Sequence, residues 1–186
     1  MKFKEDSYYI DQVLNGNTAA YSFLVEKHKS LVYSIALKIL SNPDDAEEIA
    51  QDAFLKAYQS LKSFEKKSKF STWLYRIVYN AAISKTRKKK LEYVSLDGQL
   101  VENYTEDEVM AATGKYDEQE RAVLVNRALE KLSEDENLLV ALFYKGENSV
   151  EEISYITGLS VSNVKVRLFR IRKKLYDILN EMMKMN

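Results

Sequence analysis

Between Ser160 and Leu175 the chain carries six basic side chains, Lys165, Arg167, Arg170, Arg172, Lys173 and Lys174, and no acidic one. Among them Val164, Leu168, Ile171 and Leu175 recur at i, i+4, i+7 and i+11, the spacing of a buried helical stripe. A short helical pattern over 149–156 precedes this stretch. Gly158 then suits the left-handed backbone of a tight turn, and Ser160 suits a helix cap. Helix, turn and basic helix together are what reading DNA requires. The second helix fits the major groove, its first turns present Ser162 and Asn163 to base edges, and Lys165, Arg167 and Arg170 reach bases or phosphates. The plainer alternative is a helical hairpin with a solvated basic face.

A second basic constellation runs from Phe64 to Lys90. The loop Phe64-Glu65-Lys66-Lys67-Ser68-Lys69 leads into a helical pattern that begins near Ser71. At 3.6 residues per turn, Phe70, Leu74, Ile77 and Ala81 share a face expected to be core. Arg76, Asn80, Ile83 and Arg87 share another, flanked by Lys85 and the run Arg87-Lys88-Lys89-Lys90. That face suits phosphates plus one amide able to read a base, and aromatics beside a basic loop can stack on unpaired bases. Taken singly, Phe70 and Trp73 read better as core than as stacking platforms.

The carboxylates Asp44, Asp45, Glu47, Glu48 and Asp52 cluster at one helix start, where they suit the helix dipole. As a metal site they lack a second acidic element beside them, so an enzyme acting on nucleic acid is disfavoured.

The elements that must position these groups are helical throughout. One proline, Pro43, and five glycines in 186 residues are too few for a strand-and-turn architecture. A short helix over 8–14 ends at Asn15-Gly16, and Asn17 or Thr18 is expected to cap the next, with Tyr21, Leu24 and Val25 on its apolar side. A further helix covers 30–40. Asn42 as cap with Pro43 in the first helical position starts another, expected to reach about Leu61. Its stripe is Ala46, Ile49, Ala50, Ala53, Ala57 and Leu61, leaving Glu47, Glu48, Gln51, Asp52 and Leu55 outside it. Residues 91–114, with Asp97-Gly98 and Thr113-Gly114, read as a flexible acidic linker. A second helical unit follows from near Tyr116, with helices at 124–132, 136–144, 149–156 and 160–181.

Charge is arranged along the same divisions. Basic and acidic residues balance at 28 each, yet the segments 1–61, 62–90, 91–120 and 121–186 carry −3, +9, −8 and +2. The +9 block points to a polyanionic partner. There is no cysteine, which excludes disulfides and thiol catalysis, and His28 is the only histidine. No apolar stretch reaches the length of a membrane span, and the start Met1-Lys2-Phe3-Lys4-Glu5-Asp6 lacks a signal peptide's apolar run, so a cytoplasmic protein is expected.

Three stretches in order carry a family resemblance: Asn42-Pro43-Asp44-Asp45-Ala46-Glu47-Glu48-Ile49-Ala50-Gln51-Asp52-Ala53-Phe54, Phe70-Ser71-Thr72-Trp73-Leu74-Tyr75-Arg76-Ile77, and Leu159-Ser160-Val161-Ser162-Asn163-Val164-Lys165-Val166-Arg167-Leu168. Their order and separation resemble the extracytoplasmic-function (ECF) sigma factors of bacterial RNA polymerase. The resemblance implies an all-α fold of two helical domains, 1–90 and 115–186, joined by the linker 91–114. The first domain would grip a clamp coiled coil of core RNA polymerase and read the −10 promoter element. The second, a helix-turn-helix, would read the −35 element. Carried over by position, Asp45, Glu48, Gln51, Asp52 and Leu55 would meet the polymerase. Lys66, Lys67, Lys69, Arg76, Asn80, Ile83 and Arg87 would meet −10 DNA, and Ser162, Asn163, Lys165, Arg167 and Arg170 would meet −35 DNA. Such a protein needs no cofactor and has no active site of its own. Melting costs roughly 1.4 kcal/mol per base-pair step, and capture of one flipped base at about 1–3 kcal/mol offsets one such step. The loop 64–69 is where that capture is expected. The family often works with an anti-sigma factor that sequesters both domains, and no residue here specifies one.

The chain departs from the family's pattern at Ser84, where an acidic residue is frequent, at Ser162, Asn163 and Val166, where Gly, Thr and Ser are common, and at Phe169, where His is frequent. These departures bear on which promoter is read and leave the core unaffected. The rival from another class is an autonomous helix-turn-helix regulator, which would bind duplex DNA without polymerase. The +9 block argues against it, since effector domains rarely need such charge.

Overall fold

A computed structural model of the chain describes residues 5–87 and 118–184. The expected linker at 91–114 lies outside the described residues. All regular elements among the described residues are helical. Helix α1, Asp6–Leu14, ends at Asn15, and Gly16 turns the chain with a φ of 97°. Neither expected cap forms at the next helix. Thr18–Ala20 is instead a 3-10 turn whose last residue is already helical and runs straight into α2, Tyr21–Leu40. The Asn17 amide bonds back to Gln12 Oε1 at 3.4 Å.

Helix α2 is continuous over 20 residues, where periodicity suggested a second start at residue 30. No Gly or Pro interrupts it, and it stops only where Ser41 adopts a left-handed φ of 52°. Helix α3, Pro43–Gln59, begins as its sequence signals: the Asn42 side chain accepts the Asp45 N–H at 2.9 Å, with Pro43 in the first turn. A 3-10 turn over Leu61–Ser63 takes up its expected last residues. Helix α4 is Phe70–Arg87.

Helices α2, α3 and α4 form a bundle. The small stripe Ala46, Ala50, Ala53 and Ala57 of α3 is buried along with Ile49 and Leu61, opposite Leu24, Val32 and Ile35 of α2. On α4 the buried side chains are Phe70, Leu74, Tyr75, Val78 and Ala82. Ile77 and Ala81, expected in that core, are only half-buried. Helix α4 packs on α2, on α3 and on a helix of the second unit, so the strict i, i+4 row from Phe70 to Ala82 faces the bundle.

His28 pins α1 to this bundle. Its buried ring places Nε2 3.0 Å from Asp6 Oδ2 and Nδ1 3.3 Å from the Tyr75 hydroxyl, while Lys27 Nζ lies 2.6 Å from Asp6 Oδ1. An Nε2–H donor leaves Nδ1 to accept the Tyr75 O–H, which satisfies both ring nitrogens. Burial alone would raise the Asp6 carboxyl, but hydrogen bonds from His28 and Lys27 outweigh it and hold its pKa below the usual aspartate value. The stabilisation is present above that usual value and is lost as pH falls through the depressed one.

The second unit comprises α5, Glu118–Leu129, α6, Glu134–Val140, α7, Val150–Thr157, and α8, Val161–Lys184. Capping boxes open α6 (Ser133 with Glu136) and α7 (Ser149 with Glu152). The stretch expected as one helix to Tyr144 widens into a π turn over Ala141–Lys145, where the Gly146 N–H reaches the Ala141 carbonyl at 2.9 Å, and the Asn148 amide donates to the Leu142 carbonyl at 2.8 Å.

The two units share one continuous apolar core. Leu31 and Val32 of α2 belong to the same buried cluster as Leu139, Leu142, Ile153 and Ile156. Helix α7 lies along α4, while α6 and the π turn lie on α2. A smaller cluster, Leu124, Ala128 and Leu179, joins α5 to the end of α8. Gly146 sits where the units meet. A Cβ there would lie 2.3 Å from Asn148 Nδ2, 2.6 Å from the Leu142 carbonyl oxygen and 3.0 Å from Leu31 Cδ2. Gly146→Ala should therefore lower stability by about 1–3 kcal/mol. Thermal unfolding checks this, and a wild-type midpoint would contradict the packing described.

Candidate nucleic-acid interface

Helix α8 starts where its sequence places it. Gly158 has a φ of 77°, and Ser160 Oγ accepts the Asn163 N–H at 3.2 Å. Val164, Leu168 and Ile171 are buried, and Leu175 is half-buried. Ser162, Lys165 and Arg170 are exposed on the other side. Asn163 and Arg167 are half-exposed and joined, Arg167 Nε donating to Asn163 Oδ1 at 2.9 Å. This i, i+4 bond orients an amide and a guanidinium as one unit, a geometry suited to a base edge.

The remaining basic groups of α8 divide by role. Arg172 donates to the Tyr144 hydroxyl at 3.0 Å and lies 5.2 Å from the Phe143 ring centre. Lys174 pairs with Glu136 at 2.7 Å. Burial raises the Glu136 carboxyl, but the Lys174 hydrogen bond and the Ser133 cap hold it below the usual glutamate value. Arg172 and Lys174 thus tie α8 to the π turn and α6, a division that local spacing could not reveal.

On α4, Asn80 is exposed and Ile83 half-buried. The loop lysines all meet acids: Lys66 with Asp11 at 2.7 Å, Lys67 with Glu65 at 2.6 Å, Lys69 with Glu152 at 3.2 Å. The first two pairs are well exposed and such pairs contribute little, about 0–1 kcal/mol, so they leave those lysines free to meet phosphate. Arg76 is engaged differently. It donates to the Tyr155 carbonyl, and its guanidinium lies 4.2 Å from the Tyr155 ring centre. The side chain of Arg87 lies outside the described residues. Phe70 is core, and Trp73 is half-buried with its ring 5.0 Å from that of Phe64. Thr72, which the sequence reading passed over, is buried and donates to Glu152 Oε1 at 3.1 Å.

The outer face of α3 is the third surface. Glu47, Glu48, Gln51, Asp52 and Leu55 are exposed, as their position outside the alanine stripe required. Asp45 and Glu48 both hold Lys85 of α4, at 2.8 and 2.6 Å. Those two bonds, Asp45 first, raise the Lys85 ammonium above the usual lysine value. Lys85, read as a flank of the DNA face, is turned instead toward α3, because the nearest carboxylates stand there. Beyond Leu55 the face becomes apolar. Tyr21, Phe54, Leu55 and Tyr58 line a shallow hollow, and the Tyr21 hydroxyl donates to the Phe54 carbonyl at 2.7 Å. Tyr58 could have been found as the i+3 neighbour of Leu55.

Among the described residues no helix is long and apolar enough to cross a membrane. Two family models match, Sigma-70 region 2 over residues 24–92 and Sigma-70, region 4 over residues 122–175. The class they define is a sigma factor with both promoter-facing regions in one chain. The chain is 35% identical over 180 residues to the ECF RNA polymerase sigma factor SigW of Bacillus subtilis, covering 91% of this chain and 96% of that one. Its fold matches that of CnrH, solved in complex with the cytosolic domain of CnrY, with a TM-score of 0.61, 24% identity, and 95% and 97% of the two chains covered. It also matches the sigma factor RpoE of Bartonella quintana, solved with the anti-sigma factor NepR, with a TM-score of 0.55, 22% identity, and 84% and 96% covered. The chain belongs to the ECF sigma factors of RNA polymerase. An autonomous regulator would leave the region 2 match without a role.

Proposed function

We propose that residues 1–90 grip core polymerase through α3 and engage the −10 element through α4 and the loop 64–69, that 91–114 link the units, and that residues 115–186 engage the −35 element through α8. The chain acts in the cytoplasm, performs no catalysis itself, and lends promoter choice to the polymerase. The observation that carries this reading is the separation of three faces: an acidic and apolar one on α3, the exposed Asn80 amide of α4 with the exposed lysines of the loop before it, and the joined amide and guanidinium on α8. Each suits a different partner surface, and a lone DNA-binding module needs only the last. Two solved proteins of this fold are held by partner polypeptides, one of them named an anti-sigma factor. A partner of that kind, spanning both units, fits this chain as well.

Run-off transcription with core polymerase and a promoter library tests the assignment. Transcripts should depend on the added chain and converge on shared −35 and −10 elements. Failure to form a complex with core polymerase would overturn it.

A further inference from the structure

One hydrogen bond on α8 decides which atoms two side chains still have to offer. Arg167 Nε carries a hydrogen and no acceptor site, so the Asn163 atom it meets at 2.9 Å is the amide oxygen, and the orientation of that amide follows. The Asn163 NH2 group is the half left over. Among the described residues neither that NH2 nor the two terminal nitrogens of Arg167 has a protein partner. The backbone beneath is fixed separately, because Ser160 Oγ accepts the Asn163 N–H at 3.2 Å. Both side chains are half-exposed, with the exposed Ser162 and Arg170 beside them.

The bond narrows what each group can read. With Nε committed, Arg167 keeps only its end-on fork of two terminal nitrogens, which matches O6 and N7 of guanine. A free asparagine reads adenine with both amide atoms, the oxygen accepting from N6 and the nitrogen donating to N7. Asn163 has given its oxygen to Arg167, so it cannot form that pair. What remains is an N–H donor, which suits the keto oxygens, O4 of thymine or O6 of guanine, and opposes the amino group of cytosine. Four residues along α8 give roughly 6 Å of rise, so the two groups address neighbouring base pairs rather than one.

We propose that Asn163 and Arg167 form a donor-only reading unit that selects a guanine beside a keto base in the −35 element, with Arg167 setting, through their mutual bond, what Asn163 reads. This rests on the assignment of α8 to that element. The charge reversal that tests α3 does not touch it, and the inference concerns specificity rather than affinity alone.

The test uses the full chain assembled with core polymerase. The probe is a duplex library randomised across the −35 region and carrying the −10 element that run-off transcription returns. Bound DNA is sequenced, and the overall affinity is measured at fixed salt. Wild type should favour the keto base over cytosine at one position by about tenfold, next to a selected guanine. Asn163→Asp keeps the oxygen that Arg167 bonds and replaces the NH2 by a second oxygen. A carboxylate also suits the first turn of a helix, so α8 should fold as before. In this variant the keto base should give way to cytosine or adenine, whose amino groups donate, while the guanine stays. Arg167→Ala should lose the guanine and, by freeing the Asn163 oxygen, bring adenine to the neighbouring position. If Asn163→Asp weakens all sequences alike, or Arg167→Ala alters only the guanine position, the donor-only unit is overturned while the −35 assignment stands. If both variants keep the wild-type sequence preference and affinity, α8 does not meet the −35 element, and the assignment fails together with the inference.

Discussion

Reversing Glu48 and Asp52 to lysine should lower the affinity of the chain for core polymerase by about tenfold or more, equivalent to roughly 1.4 kcal/mol, while the protein remains folded. Both side chains are exposed on α3, and surface substitutions usually change stability by less than about 0.5 kcal/mol. Opposed charges across an interface steer association and fix register, so reversal both removes attraction and introduces repulsion. Glu48 also holds Lys85, so part of any loss could come from a disturbed contact between α3 and α4. Lys85→Ala separates the two. It removes the internal pair and leaves the acidic face intact, and it should assemble with core polymerase as wild type does. Titration of labelled chain with core enzyme measures all three proteins. Wild-type affinity in the double reversal would remove α3 as the polymerase-binding face.

The second large effect is on promoter opening. Alanine at Asn80, Lys67 and Lys69 together should reduce open-complex formation on a fully paired promoter about tenfold. One captured base contributes about 1–3 kcal/mol, against stacking of roughly 1.4 kcal/mol per step. Asn80 is exposed on α4 and Lys67 is exposed in the loop before it, so both can meet a strand directly. Lys69 is exposed in the same loop, where its pair with Glu152 at 3.2 Å is readily exchanged for a phosphate. A template already mismatched at −10 separates opening from strand binding, since unstacking is no longer required. Permanganate reactivity of unpaired thymines should recover in part on that template and stay low on the paired one, at fixed salt because phosphate contacts are salt-sensitive. Wild-type reactivity on the paired promoter would show that this face does not open DNA.

Much of this was legible in local sequence, because its causes are local. Asn42-Pro43 starts α3, since a side-chain cap and a missing N–H act within one turn. Gly158 and Ser160 turn and restart the chain ahead of α8 for similar reasons. The alanine stripe of α3 and the Val164-Leu168-Ile171 stripe of α8 are buried, leaving the acidic and basic faces outside, because each helix has one dominant apolar side. Tertiary structure decided the rest. A 3-10 turn running into α2 made a cap unnecessary, and α2 passes residue 30 unbroken. On α4 the apolar positions allow more than one stripe, and the neighbours chose the row through Val78 and Ala82 over Ile77 and Ala81. The partners of the basic groups were the least legible of all. Lys85 meets Asp45 and Glu48, Lys69 and Thr72 meet Glu152, and Arg76 meets Tyr155, between residues 37 to 83 positions apart. Helical periodicity states which side chains share a face, whereas a pairing between distant helices depends on how whole units dock, and that is set by the shared core rather than by any short motif.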